Sequence, residues 1–586
     1  MRYLPMEISH DLSEYLSETL RIAAQKVDGF DDAFEPQVRV ADERFGDFQA
    51  NGVLPFAKRK GQNPRALAEQ LIQTLPPSED WEVSLAGPGF VNFSLSPGFI
   101  LRWMQAYGSD DAIRGARKVG QSRKIVLDYS SPNTAKQMHV GHIRSTIIGE
   151  SLARLLEHRG HEVIRDNHLG DWGTQFGMLL LAIKREQVNL DELGDEPIAR
   201  LENLYRAGNA LTKEDESALT EAREELVKLQ KGDPENLALW QKIRDLSMDS
   251  FERIYDLLGV RFDHAHGESF YRDQVDAVYA GLQERGICRE DAGALVVFHP
   301  EHKRFAKQPF IIRKSDGASN YATTDLATLA YRTSEWRAEQ VIYVTDGRQR
   351  DHFEQLFLTT EKWFEAEKKT LPTLSHVWFG TILGEDNKAI KTRDGEPIKL
   401  IDLLNEAIQR AAEMVREKNP DLAEEEIRRR AQVIGLGAVK YADLSQDRTL
   451  DYVFSWDKLL AMQGNTAPYL QYAVARISSI FRKFEGDLAS LEENARPPKT
   501  EHERSLARKL VFFPLALEQT VKELKPHFLC TYLFELATGF SSFYNQDKVM
   551  VSDPAERSLR LMLCARTKLF LETGLRILGI ETLEEM

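Results

Sequence analysis

Residues 124–166 constrain the fold more than any other stretch. Lys124-Ile125-Val126-Leu127-Asp128-Tyr129 is a short apolar run of strand length. A polar turn follows, from Ser130 to His142. Beyond it, Ile143, Ile147, Ile148, Leu152, Leu155 and Leu156 recur at the three- and four-residue intervals of a helix, and Gly160 suits its end. His161 to Asp166 reads as a second strand. Strand, helix and strand in this order make one crossover of a parallel sheet. The sequence therefore predicts an α/β domain, with ligands at the carboxyl ends of its strands.

The turn between strand and helix carries the chemistry. His139 and His142 are three apart, so both can face one side of the first helical turn. Gly141 lacks a side chain and lets a flat ligand lie close to the backbone. The helix N-terminus offers free N–H groups and a positive dipole end, which suits phosphate. Two imidazoles there can donate hydrogen bonds to charge growing on a phosphoryl group. A capped helix with two surface histidines is the plainer reading of the same residues.

At 586 residues the chain exceeds one core, and three or four domains are expected. No long uncharged apolar run suggests a membrane span, and the first residues lack the apolar core of a signal peptide. Cys288, Cys530 and Cys564 are scattered singly, with neither zinc spacing nor a disulfide framework, as in a reducing cytoplasm. The net charge of −15 argues against a protein that coats nucleic acid. That acidity lies before residue 457, because the 17 Lys and Arg beyond it balance 17 Asp and Glu. Any nucleic acid would meet local basic patches.

Residues 1–108 read as a small α+β module, with a helical stripe from Ile8 to Leu20 and strands Trp81–Ala86 and Phe90–Leu95 joined at Gly87-Pro88-Gly89. Residues 109–124 are polar and charged and are expected to be a linker. The catalytic α/β domain is placed at 125–456, with a helical insertion over about 186–258. Tyr321 and Asp325 are four apart, on one face of a helix that starts there. Val341–Val344 is another strand, and its loop reaches His352. From residue 457 to the end every segment is helical in period, an all-α bundle in which Tyr469 and Tyr472 are expected to share a face as a stacking platform.

The string Ser131-Pro132-Asn133-Thr134-Ala135-Lys136-Gln137-Met138-His139-Val140-Gly141-His142 resembles the first signature of class I aminoacyl-tRNA synthetases, in the arginyl-tRNA synthetase version. Gly87-Pro88-Gly89-Phe90-Val91-Asn92-Phe93, the 320–327 and 345–352 segments and Gly464 to Ala473 resemble that family in the same order. The resemblance implies a Rossmann-type, doubly wound catalytic domain, flanked by an N-terminal module and a helical anticodon-binding domain. It implies an arginine–tRNA ligase that uses ATP, with magnesium on the ATP phosphates and no protein metal site. tRNA-Arg and L-arginine are the implied partners of a monomer.

On this resemblance, His139, Gly141, His142 and His352 line the ATP side. Ser131, Asn133 and Gln349 orient the amino acid, while Glu268, Tyr321 and Asp325 take its guanidinium. Carboxylates suit that planar, five-donor group. Phe90 and Asn92 would hold an unpaired tRNA base. Residues 387–395 occupy the place of the class's lysine-rich loop but lack its Met-Ser pair, leaving Lys391, Arg393 or Lys136 to neutralise the pyrophosphate. The insertion is too short for an editing domain, so no second hydrolytic site is expected. The alternatives are a non-catalytic RNA-binding paralogue and a class I synthetase for another amino acid. No Walker loop, GxGxxG after a strand, HExxH or GxSxG is present.

Overall fold

The computed structural model describes residues 9–115, 122–315, 320–388, 390, 397–484, 486 and 489–586. Lys391 and Arg393 lie outside the described residues. The chain divides into two compact units, one built from residues 1–119 with 460–586, the other from 120–459.

The first unit starts with the helix Leu12–Ala24 and holds an antiparallel sheet of β1 (Val38–Val40), β2 (Phe48–Ala50), β3 (Trp81–Ala86) and β4 (Phe90–Leu95), in the order β1-β2-β4-β3. Gly87 and Gly89 turn the β3–β4 hairpin at φ of 53° and 138°, where a side chain would be strained. Phe48, Val91 and Phe93 are buried beneath it. The last 120 residues fold into helices, among them Ala467–Arg482, His527–Gln546 and Pro554–Ile577. Thr466, Thr500 and Asp553 cap three of the helix starts. Leu533, Leu536, Phe540, Leu563 and Phe570 fill the bundle core.

The first and last segments pack against each other. Arg508 in the bundle binds Asp47 at 2.6 Å, and Arg566 donates from Nε to the Met104 carbonyl at 2.7 Å. Phe48 meets Phe512 edge-on, and Trp103 meets Phe570 likewise. The segment expected to be a solvated linker starts as the helix Asp110–Gly115. Ile113 is buried there, and Asp110 accepts a hydrogen bond from Arg576. Its polar composition hid one apolar anchor and one ion pair.

The second unit holds β5 (Lys124–Asp128) and β6 (Glu162–Asp166), then a small antiparallel sheet of β7 (Cys288–Asp291), β8 (Ala294–Val297) and β9 (Phe310–Arg313). It continues with β10 (Gln340–Asp346) and β11 (Thr373–Phe379), and ends with the short parallel pair β12 (Ile382–Leu383) and β13 (Tyr452–Val453). β5, β6, β10 and β11 form an all-parallel sheet in the order β11-β10-β5-β6. β5 leads outward to β6 on one side and β10 leads to β11 on the other, so the topology switches between β5 and β10. A crevice at that point, beyond the strand ends, is where such sheets bind ligands. Val126, Leu127, Val341 and Ile342 are fully buried, as strands covered on both faces require. The insertion consists of helices Pro197–Glu214, Glu216–Gln230 and Pro234–Leu258. Among the described residues, no helix is long and apolar enough to cross a membrane.

Candidate active site

The turn after β5 is strained and held by polar bonds. Ser130, Ser131 and Ala135 have φ of 69°, 49° and 60°, the left-handed region that costs a non-glycine residue about 1 kcal/mol or more. Each backbone N–H in that strained set is claimed. Ser130 N donates to Ser145 Oγ at 2.9 Å, Ser131 N to Asn167 Oδ1 at 3.0 Å, and Ala135 N to Ser247 Oγ at 2.9 Å. The small hydroxyls in the sequence string and its surroundings therefore fix a backbone shape.

His139 caps the helix Val140–His158 and forms a reciprocal box with His142. Gly141 N donates to His139 Nδ1 at 3.1 Å, and His139 N donates to His142 Nδ1 at 3.1 Å. An acceptor Nδ1 leaves the proton of a neutral ring on Nε2. Burial pushes the His142 pKa down to about 4, with the His139 ring adding to the effect, and burial also lowers that of His139. Both rings thus stand neutral, 4.1 Å apart, each with an Nε2–H free of the cap. The capped-helix reading and the phosphate-donor reading describe the same two residues. A Cβ on Gly141 would lie 2.8 Å from the His139 ring, so the glycine makes room for that cap as well as for a ligand.

Residues 398–400 lie alongside this motif. Val140 N donates to Ile398 O, and Leu400 N to Met138 O, both at 2.9 Å. Residues 398–400 are thereby fastened next to His139, while Lys391 and Arg393 are outside the described residues. Lys136 rests 5.1 Å over the Tyr205 ring. Lys136 and Arg348 both act electrostatically to lower the His139 pKa, and Glu202 opposes them. Sequence reasoning missed Arg348, one of two arginines with no spacing signal in the loop 345–352.

The acidic residues join the same site through one loop. Gly170 N donates to Pro132 O and Thr134 N to Gly170 O, each at 3.1 Å, and Glu268 N donates to Leu169 O at 3.0 Å. Glycine at 170 leaves room for the Asn133 amide, because a Cβ would stand 2.1 Å from Asn133 Oδ1. Asp171, fully buried, anchors the far side by accepting from Ser269 N at 2.9 Å and Ser269 Oγ at 2.8 Å. Glu268 begins a short helix there, and burial, then Asp325, then Asp171 push its pKa up to about 8. Tyr321 and Asp325 share the first turn of the helix Tyr321–Ser334, capped by Asn320. Tyr321 is 65% exposed, and its phenol pKa is raised by burial and by Glu268 and Asp325. Asn133 and Gln349 are exposed. His352, which the resemblance puts on the nucleotide side, stands next to Asp325. Its Nε2 lies 2.6 Å from Asp325 Oδ2, so the ring belongs to the acidic pair, to which its helix Arg350–Ala366 turns it.

Among the described residues, no three His, Cys, Asp or Glu side chains are grouped to hold a metal. Sequence-family models match the chain along its length. One described as tRNA synthetases class I (R), catalytic domain, covers residues 108–456. The arginyl tRNA synthetase N terminal domain covers 7–95, and the DALR anticodon binding domain covers 470–586. A Pseudomonas putida protein named arginine–tRNA ligase is 45% identical over 93% of this chain and 94% of its own. A Citrobacter koseri protein of the same name is 42% identical over 99% and 100%. The chain belongs to the arginyl-tRNA synthetase family. The Plasmodium falciparum arginyl-tRNA synthetase superposes with a TM-score of 0.83 at 28% identity over all of both chains. That of Thermus thermophilus gives 0.82 at 25%, covering 98% of this chain and all of that one.

In this synthetase the candidate RNA contacts are partly committed elsewhere. Asn92 is 1% exposed in β4, and its amide oxygen accepts from Gln49 Nε2 at 2.8 Å. Burial in the strand ladder thus corrects its assignment to a free base contact. Phe90, at the start of the same strand, is half-buried. Tyr469 and Tyr472 do not form one platform. The roughly 60° offset of residues three apart on a helix turns Tyr469 into a seam. There its hydroxyl meets Ser541 Oγ at 3.2 Å and its ring meets Phe534 edge-on. Tyr472 is 37% exposed and pairs instead with Arg476, whose guanidinium lies 4.9 Å from its ring and 5.3 Å from that of Tyr544. Tyr544, 75 positions after Tyr469, gave no local signal.

Proposed function

We propose that this arginine–tRNA ligase works in two steps at the crevice between β5 and β10. The arginine carboxylate attacks the α-phosphorus of ATP in line, the bond to pyrophosphate breaks, and arginyl-adenylate forms. The terminal ribose hydroxyl of tRNA-Arg then attacks the arginyl carbonyl and AMP leaves. The observation that carries this reading is the loop 169–171, which ties Asn133 of the signature turn to Glu268 of the acidic pair by backbone bonds of 3.0–3.1 Å.

Glu268 and Asp325 take the guanidinium, with Tyr321 beside them, while Ser131, Asn133 and Gln349 orient the amino acid. His139 and His142 donate neutral Nε2–H groups to the charge growing on the phosphoryl oxygens. Lys136, Lys391 or Arg393 neutralises the leaving pyrophosphate. Magnesium, when bound with ATP, would neutralise phosphate charge and be held mainly by the nucleotide. Rejection of other amino acids rests on the acid pair alone, since a site built to bond a polar group can exclude analogues by about 10⁴-fold without editing. Phe90 and the Tyr472–Arg476–Tyr544 stack face tRNA, and the enzyme works as a cytoplasmic monomer that binds tRNA before activating arginine.

Pyrophosphate exchange with each amino acid, with and without tRNA, tests this reading. Arginine-dependent exchange that requires tRNA supports it, and preferential exchange with another amino acid refutes it.

A further inference from the structure

Arg332 is fully buried, 0% exposed, in the last turns of the helix that begins with Tyr321 and Asp325. Its Nη2 lies 2.7 Å from Asp128 Oδ2 and 2.7 Å from Asp166 Oδ2, and its Nε lies 3.2 Å from Asp166 Oδ2. Asp128 and Asp166 are register partners at the ends of β5 and β6. Their side chains therefore leave the same face of the sheet on strands about 4.8 Å apart. Two such buried carboxylates repel, and the guanidinium between them offsets that repulsion. The second oxygen of Asp128 reaches further. Its Oδ1 accepts a hydrogen bond from Ser131 Oγ at 3.0 Å. Ser131 is one of the left-handed residues of the signature turn, two positions before Asn133.

We propose that Arg332 is a positioning residue for arginine activation. Through Asp128 and Ser131 it sets the turn that carries Asn133 and His139 relative to the helix that carries Tyr321 and Asp325. It touches no substrate. This rests on the reading that the enzyme activates arginine at this site, which the parent enzyme's arginine-dependent exchange tests separately.

Geometry distinguishes positioning from mere stability, because the two aspartates bond differently. Asp166 uses only Oδ2 for both bonds to Arg332, and its Oδ1 has no partner among the described residues. An asparagine at 166 keeps that one accepting oxygen. Asp128 accepts from Arg332 with one oxygen and from Ser131 with the other, so an asparagine there cannot accept from both, and the Ser131 bond must break or reverse its direction. Asp128→Asn and Asp166→Asn each remove one buried acid and leave Arg332 one charged partner.

The test is the kcat and KM of tRNA-supported, arginine-dependent pyrophosphate exchange, normalised to folded protein. Asp128→Asn is expected to lower kcat about ten-fold or more, with Asp166→Asn within about three-fold of the parent. Ser131→Ala should reproduce the loss, and the Asp128→Asn/Ser131→Ala double variant should lose no more than the worse single. Equal effects of the two asparagine variants would overturn the proposal, as would losses that simply add. Should Asp128→Asn fail to fold, Asp128→Glu carries the test, because it keeps the charge but moves both accepting oxygens by one methylene from Arg332 and Ser131, and unchanged kcat in that folded variant would overturn it.

Discussion

Glu268 enters the site with its carboxyl held up to about 8 by burial and by Asp325 and Asp171. At pH 7 the free enzyme therefore keeps this acid protonated, and a bound guanidinium favours its carboxylate. Arginine binding should release close to one proton below pH 8, so its Kd should fall about ten-fold per pH unit up to that point and level off above it. Isothermal titration in buffers of different ionisation enthalpy measures the proton, and Glu268→Gln should abolish it. A pH-independent Kd in the parent would contradict this. The stability linkage has the opposite sense. The unfolded acid ionises near 4.5 and the folded one near 8, so without arginine this group costs stability as pH rises between those values. His142, with its pKa lowered to about 4, contributes no ionisation near neutrality. His142→Ala should slow adenylate formation by about 10²-fold or more while leaving arginine affinity within a few-fold. A pure binding defect in single-turnover kinetics would contradict the role of its Nε2–H.

At the scale of elements, the loop 169–171 is the joint of the site. Gly170→Ala would place a Cβ 2.1 Å from Asn133 Oδ1, and that side chain must swing aside. The arginine KM should rise about ten-fold or more with the KM for ATP little changed, in exchange kinetics at saturating tRNA. An unchanged arginine KM would separate Asn133 from the amino acid. Elements were legible in the sequence where their signals were local. The run 124–129, the helix intervals after His142 and the Gly87-Pro88-Gly89 turn each fall within a few residues of the strand or helix they specify. Asn92 was misplaced because its neighbour Gln49 is 43 positions away, across a strand pair. The Tyr469 platform failed for a similar reason, since Ser541 and Phe534 claim that ring from a distant helix. Arg332 could not be found from spacing at all. Its partners lie 204 and 166 positions upstream, and a lone arginine in a helix reads as surface.

At the scale of the molecule, the N-terminal sheet and the C-terminal bundle form one unit. No sequence pattern joins Asp47 to Arg508 or Met104 to Arg566, since each pair is more than 450 positions apart. If both parts hold tRNA, their joint sets the distance between two contacts on it. Arg508→Ala should then raise the KM for tRNA several-fold in aminoacylation, about 1 kcal/mol, with the arginine and ATP constants unchanged. An unaltered tRNA constant would show the joint to be irrelevant to binding. The central claim concerns the other unit, where two carboxylates beside a paired-imidazole turn choose a guanidinium. It is tested most directly by pyrophosphate exchange, in the presence of tRNA, comparing arginine with its uncharged isostere citrulline in the parent and in Asp325→Ala. The expected result is a preference for arginine of about 10⁴-fold in the parent and loss of arginine-dependent exchange in a folded variant. Undiminished arginine exchange by Asp325→Ala would contradict it.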